Sequence, residues 1–218
     1  MGNHILVSEI FHSIQGESSF AGYPCAFIRL AGCGHGCRHC DTGYAEEGGM
    51  SMEIEEAVER AMEFGAPCIE VTGGEPLLQP GVYPLLEALC DLNPNVLLET
   101  GGFLPVDRVD TRVHLVIDIK PPSSGVSDKN CIENLQLALR SPERFEFKAV
   151  LASREDYLWT KAFIGEHGLA GNCAIVFGPV FGQLDPQQLA GWILEDRLTV
   201  RMQLQLHKYI WKPDTRGV

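Results

Sequence analysis

Short runs of apolar, often β-branched residues recur along the chain, at 5–11, 25–31, 68–72, 96–100, 114–119, 145–151, 173–177 and 202–206. Several are apolar almost throughout, as a strand covered on both faces requires. Helical periodicity lies between them. Ile54, Ala57, Val58, Ala61 and Met62 fall on one stripe of a helix. Ser51 can cap that helix, Glu53, Glu55 and Glu56 suit its first turn, and Gly65 can end it. Val82, Leu85, Leu86 and Leu89 mark a second helix, and 157–167 and 186–196 two more. The alternation predicts an α/β fold with a mostly parallel sheet. At 218 residues the chain is short for a closed eight-fold barrel of about 250. The expectation is a partial, open (β/α) barrel, built as a single domain over 1–218. In such folds the active site lies beyond the C-terminal ends of the strands, so a functional motif should directly follow a strand.

The formal net charge of −12 argues against an extended nucleic-acid surface, because phosphate contacts need clustered Lys and Arg. It leaves room for a local basic pocket that takes a small anionic substrate. No apolar run reaches the roughly 18 residues of a membrane span. Residues 1–11 lack the basic start and long apolar stretch of a signal peptide, so a cytoplasmic location is expected. In that compartment clustered cysteines read as metal or catalytic ligands. Cys25, Cys68, Cys90, Cys131 and Cys173 are scattered among apolar neighbours and read as small buried hydrophobes.

The remaining cysteines lie in one loop directly after the run 25–31: Gly32-Cys33-Gly34-His35-Gly36-Cys37-Arg38-His39-Cys40-Asp41-Thr42. Its glycines let the backbone wrap closely around a cofactor. Three thiolates at C-x3-C-x2-C spacing can hold three irons of a cubane cluster. Ordinary electron-transfer clusters use four cysteines, so one iron here would stay open to a ligand. The alternative is zinc, held by Cys33, Cys37 and Cys40 with His35 or His39. Usual zinc patterns split their ligands between two separated knuckles, whereas these share one short loop.

A second motif, Gly73-Gly74-Glu75-Pro76, follows the run 68–72. Together the two segments resemble the radical S-adenosylmethionine (SAM) superfamily, and the pair favours a [4Fe–4S] cluster over zinc. The resemblance implies that Cys33, Cys37 and Cys40 hold the cluster. It also implies that Gly73, Gly74 and Glu75 receive the SAM amino group, a role that carbonyls and a carboxylate suit as acceptors. More of the chain resembles one family, the 7-carboxy-7-deazaguanine synthases of queuosine and 7-deazapurine biosynthesis. The likeness runs from Glu9-Ile10-Phe11-His12-Ser13-Ile14-Gln15-Gly16-Glu17-Ser18, through Gly22-Tyr23-Pro24 and Cys40-Asp41-Thr42, to Gln205-Leu206-His207-Lys208-Tyr209 and the final Gly217-Val218.

That resemblance implies a lyase. A 6-carboxy-5,6,7,8-tetrahydropterin loses a hydrogen from C6 to a SAM-derived radical, its ring contracts, the hydrogen returns and ammonia leaves. Mg²⁺, an electron donor such as flavodoxin or ferredoxin, and a homodimer are further implications. Arg29 interrupts an apolar strand and shares one face with Phe27 and Ala31. There it either binds a substrate carboxylate or closes an internal ion pair; the resemblance favours the substrate. Ile14, Gln15, Gly16 and Glu17 offer a pterin edge donors, acceptors and close backbone approach. The family usually has Gly where Ser18 stands. By resemblance Thr42 binds Mg²⁺, Thr72, His207 and Val218 contact substrate, and His39, Asp41, Asp118, Lys120 and Gly178 contact SAM. Family members commonly read Ser-Pro-Lys where Asp118-Ile119-Lys120 stands. Residues 213–218 are expected to fold over the pocket and exclude water. Two rival readings are a glycyl-radical-activating enzyme, which gives no reason for Gln15-Gly16-Glu17 or Arg29, and a non-enzymatic metal-binding or filament-interacting protein with a vestigial site.

Overall fold

The structure, a computed structural model, describes residues 3–213 and 215–218. Its elements are β1 (His4–Ile14), β2 (Pro24–Leu30), β3 (Met50–Glu53), α1 (Ile54–Met62), β4 (Cys68–Gly73), α2 (Val82–Leu92), β5 (Val96–Thr100), β6 (His114–Asp118), α3 (Ile132–Ala138), β7 (Phe145–Leu151), α4 (Arg154–Glu166), β8 (Ala174–Pro179), α5 (Pro186–Glu195), β9 (Arg201–Met202) and α6 (His207–Ile210). One sheet runs β3-β1-β2-β4-β5-β6-β7-β8-β9. β1 is antiparallel to β2 and β3, and every other pairing is parallel. β3 and β9 remain as edges, so the sheet is an open, partial barrel. Among the described residues no helix is long and apolar enough to cross a membrane.

The two faces of the sheet have different partners. Ile28, Leu98, Ile117 and Phe147 point to one face and pack with Val58, Leu85, Leu135, Tyr157 and Leu189 of the helices. The other face carries a smaller apolar group, Phe11, Cys25, Phe27, Cys68, Leu97 and Val116. Above it, toward the C-terminal strand ends, stand Arg29, Glu70, Thr72, Glu99, Asp118 and Lys148. Strand alternation thus puts apolar residues under the helices and charged ones into the barrel interior.

β1 changes face midway. Its register on β2 shifts between Val7↔Leu30 and Glu9↔Arg29, a bulge that inserts one residue. Ile5 and Val7 therefore lie in the helix-side core, while Glu9 and Phe11, of the same parity, face the interior. Without the bulge Ser8 would oppose Arg29.

α4 and α5 start on side-chain caps. Ser153 Oγ accepts from Asp156 N at 3.2 Å, and Asp185 Oδ1 from Gln187 N at 2.9 Å, with Pro186 in the first turn. Ser51, expected to cap α1, instead lies in β3, and Glu53 occupies the cap position without a side-chain bond. Gly65 ends that helix region as expected, in a left-handed conformation with its N–H on Met62 O at 3.0 Å. The expected strand 202–206 also needs correction. Gln203 N still bonds Phe177 O at 3.0 Å, but Leu206 N has turned to Gly16 O, also 3.0 Å away. His207 consequently opens α6 rather than closing a strand.

Candidate active site

A cavity of about 720 Å³ opens beyond the C-terminal strand ends. The loop after β2 forms one wall, and Cys33, Cys37, His39, Cys40, Asp41 and Thr42 all line it. Gly32, Gly34 and Gly36 take φ of +90°, +71° and +69°, left-handed values that L side chains rarely tolerate. Their alternation curls the loop so that successive cysteines face inward. Backbone bonds moor it: Gly32 N to Ala45 O at 2.8 Å, and Arg38 N to Ser124 O at 3.0 Å. Burial pushes the Cys33 and Cys37 thiols above the usual range, so iron must displace protons to bind. Three half-buried or exposed thiols on a wrapped loop fit a cluster with one open iron.

The segment after β4 lies against this loop. Gly74 N bonds Leu30 O at 3.1 Å and Glu75 N bonds Gly32 O at 2.9 Å. A Cβ on Gly74 would sit 2.3 Å from Gly32 O and 2.8 Å from Cys33 Cβ. Only a glycine permits this approach, which leaves room at the rim for an amino group among backbone acceptors. Gly74→Ala should displace Cys33 and lower the iron content of the reconstituted protein severalfold; parental iron content would show that the contact is slack.

The Glu75 side chain takes a different place from the two glycines before it. Gly73 and Gly74 line the cavity, but the Glu75 side chain lies behind its wall with no exposed surface. Oε1 accepts from Leu77 N at 3.1 Å and Thr100 Oγ1 at 2.8 Å, and Oε2 from Gly101 N at 2.9 Å. Glu75 therefore braces the loops after β4 and β5. Gly178 is also absent from the cavity wall, because the segment after β9 covers it: an added Cβ would meet Gln203 O at 3.1 Å.

The floor is a network of charges. Ile14, Gln15, Gly16, Glu17, Arg29, Thr72, Asp118 and Lys120 line the cavity, and so do Glu70, Glu99 and Lys148, which the sequence reading missed. Arg29 closes an internal ion pair and also lines the cavity. Its Nε donates to Glu9 Oε1 at 2.8 Å, and its guanidinium lies between the Phe11 and Tyr44 rings, with centroids 5.5 and 6.0 Å away. Tyr44 OH donates to the same Glu9 oxygen at 2.7 Å. Lys148 lies 3.4 Å from Glu17, 3.6 Å from Asp118, and in direct contact with Glu99. Burial works against its charge, but Asp118, Glu17 and Glu99 outweigh it and hold the ammonium well above the ordinary lysine range. Burial likewise opposes the Asp118 charge, yet Lys120, at 2.5 Å, and Lys148 keep that carboxyl low.

The remaining wall comes from the C-terminal region. His207 and Val218 line it, with Thr215, Arg216 and Gly217. Arg216 stacks on Tyr44 at 4.1 Å, which ties this segment to the cysteine-loop side. Asp214, within the expected cover, lies outside the described residues. Burial pushes the His207 imidazole below its usual range, which favours its neutral form. Desolvation opposes the Asp41 charge, but Lys208, 2.8 Å away, holds that carboxyl down at about 2. Thr42 Oγ1 is 3.7 Å from Cys40 Sγ, at the junction between the cluster loop and the charged floor.

Comparison with known proteins agrees with this geometry. Residues 27–117 match the Radical SAM superfamily. A 7-carboxy-7-deazaguanine synthase of Chlorobaculum tepidum is 70% identical over 212 residues, spanning 97% of this chain and 96% of that protein. Another, of Koribacter versatilis, is 40% identical over 228 residues, spanning 97% and 99%. The crystal structure of QueE from Escherichia coli shares the fold, with a TM-score of 0.74 at 21% identity, over 93% of this chain and 94% of that one. With sequence identity of that extent along almost the whole length, the chain belongs to the 7-carboxy-7-deazaguanine synthases, within the radical SAM superfamily.

Proposed function

We propose that the cavity converts 6-carboxy-5,6,7,8-tetrahydropterin to 7-carboxy-7-deazaguanine with loss of ammonia. The observation that carries this reading is the juxtaposition, in one cavity, of the three-cysteine loop with an arginine and a hydrogen-bonding floor suited to an anionic, amide-bearing heterocycle. Cys33, Cys37 and Cys40 would hold a [4Fe–4S] cluster and Gly73 and Gly74 would seat SAM beside it, and together these groups would supply the radical chemistry that the reaction needs.

The protein's own residues do the rest. Arg29, with Nε fixed by Glu9, offers its remaining N–H groups to the substrate carboxylate. Gln15 and Glu17 meet the aminopyrimidine edge, with Glu99 and Thr72 beside them. Neutral His207 closes over the ring from α6. Asp118 is already taken by two lysines, so its help to SAM is to hold Lys120 in place. Thr42 would offer its hydroxyl to Mg²⁺, a hard cation that takes oxygen ligands and would help to orient the substrate carboxylate. The segment 215–218 excludes water from the radical chemistry. By the same reading the enzyme works in the cytoplasm as a homodimer and draws electrons from a flavodoxin or ferredoxin. A glycyl-radical-activating role would leave the floor without a ligand.

Anaerobic incubation of cluster-loaded protein with the pterin, SAM and a one-electron reductant tests the proposal. Product and ammonia in equal amounts are expected; SAM cleavage with no loss of pterin would remove the substrate assignment. Arg29→Ala should weaken pterin binding by about 2 kcal/mol or more, the cost of truncating one partner of a buried charged contact. SAM binding should change little. Unchanged pterin affinity by calorimetry would reduce Arg29 to the internal partner of Glu9.

A further inference from the structure

Glu70 is a charge-bearing residue in the middle of an apolar strand, Cys68-Ile69-Glu70-Val71. Its side chain points to the cavity floor, and the residue is only 2% exposed. Gln15 Nε2 donates to its Oε2 in a short contact. Gln15 Oε1 accepts from Glu17 N at 3.3 Å, so the amide is held at both ends while its second N–H and second lone pair stay free for a ligand. Glu70 therefore pins the loop that carries Gln15 and Glu17 to the sheet.

The charges around Glu70 do not balance if it is ionised. Phe27 is its partner on β2, with the Cys25 thiol below on the same strand. Glu99 faces it from β5, within hydrogen-bond reach, and Lys148 from β7. Lys148 already serves Glu17, Glu99 and Asp118. Lys120 is held by Asp118, Lys208 by Asp41 and Arg29 by Glu9. Among the described residues no cation pairs with Glu70. A second bare carboxylate beside Glu99 would be buried without compensation. A proton on Glu70 resolves this, because the acid can then donate to Glu99 while still accepting from Gln15. Burial and the Glu99 charge both push the Glu70 carboxyl well above its ordinary range.

We propose that Glu70 is a positioning residue for the pterin site: as a neutral acid it links Gln15 to Glu99, and its ionisation disables the floor. This rests on the pterin reading given above. The sign follows from which form is competent. The neutral form is the one favoured as pH falls. As pH rises and it ionises, repulsion moves Glu99 off Lys148, and the added charge opposes an anionic substrate. The consequence is an alkaline limb in kcat/KM, carried by KM rather than kcat.

The test has an arm that needs no substrate. Infrared spectra of the parent protein at neutral pH should show the C=O stretch of a protonated carboxyl that is absent from Glu70→Gln. The same band should move in Glu99→Gln, where an amide replaces the acceptor carboxylate. No such band in the parent, or a band indifferent to Glu99→Gln, overturns the proposal even if Glu70→Gln does not fold. The kinetic arm compares pH profiles. Glu70→Leu should raise KM about tenfold, the loss of one good hydrogen bond. Glu70→Gln, which copies the neutral acid, should recover most of that loss and lack the alkaline limb. A Glu70→Gln profile with the parental limb overturns the proposal. A parent that turns over no pterin would instead refute the substrate reading, while the infrared result still decides the protonation of Glu70.

Discussion

Replacing Cys33, Cys37 or Cys40 singly with alanine is expected to abolish SAM cleavage, whereas Cys68→Ala, Cys90→Ala and Cys173→Ala should leave the cluster intact. The contrast is geometric. The first three share one wrapped loop at the cavity rim. Cys68 faces the apolar base of the barrel interior beside Cys25, and Cys90 and Cys173 pack against the helix-side core. A cubane iron without its thiolate is not retained by neutral neighbours, and the nearby His35 ring packs, tilted, against Phe103 instead. Iron and sulfide analysis with an electronic spectrum measures the outcome. Full cluster content in the triple variant would sink the assignment.

Lys148→Met should cost about 3–5 kcal/mol of folding stability, the usual penalty for stripping one partner from a buried charge group. Methionine keeps the aliphatic volume, so the loss reports charge. With the cation gone, Glu17, Glu99 and Asp118 face one another with Lys120 as the nearest compensation. Their carboxyls then bind protons more tightly in the folded state than in the unfolded chain. The deficit should therefore shrink as pH falls and grow as it rises. Denaturant titrations of both proteins at mildly acidic and mildly alkaline pH measure it. A deficit that is independent of pH would mean the lysine acts through packing alone.

The strands under the helices were legible because both faces are covered and their sequences are apolar almost throughout. β3 was not: only Met52 of Met50–Glu53 is buried, so an exposed edge strand leaves no alternation to read. The short helices α3 and α6 span too few turns to reveal a stripe. The bulge in β1 was hidden as well, since Glu9 and Phe11 have the same parity as Ile5 and Val7 but the opposite face. Among the scattered cysteines, Cys25 and Cys68 are buried as expected, while Cys90, Cys131 and Cys173 are only half-buried.

The site was legible where residues lie close in sequence, as in Cys33 to Thr42 or Gln15 to Glu17. Glu70, Glu99 and Lys148 come from three different strands and meet only in space. Yet each left the mark that singled out Arg29: a charge within an apolar strand, in register with other interior positions such as Thr72 and Asp118. Applied to every strand, that test finds the floor. Glu75 and Gly178 show its converse limit, because a motif position can lie one layer behind the surface it shapes.

The most direct test of the account uses pterin deuterated at C6, turned over anaerobically with excess SAM and a reductant, with SAM and product recovered and weighed by mass spectrometry. If this cavity abstracts the C6 hydrogen and gives one back, deuterium should pass into the recovered SAM while 7-carboxy-7-deazaguanine accumulates in excess of any SAM consumed. Product formed with no deuterium in SAM, or SAM consumed in step with product, would contradict reversible abstraction at this site.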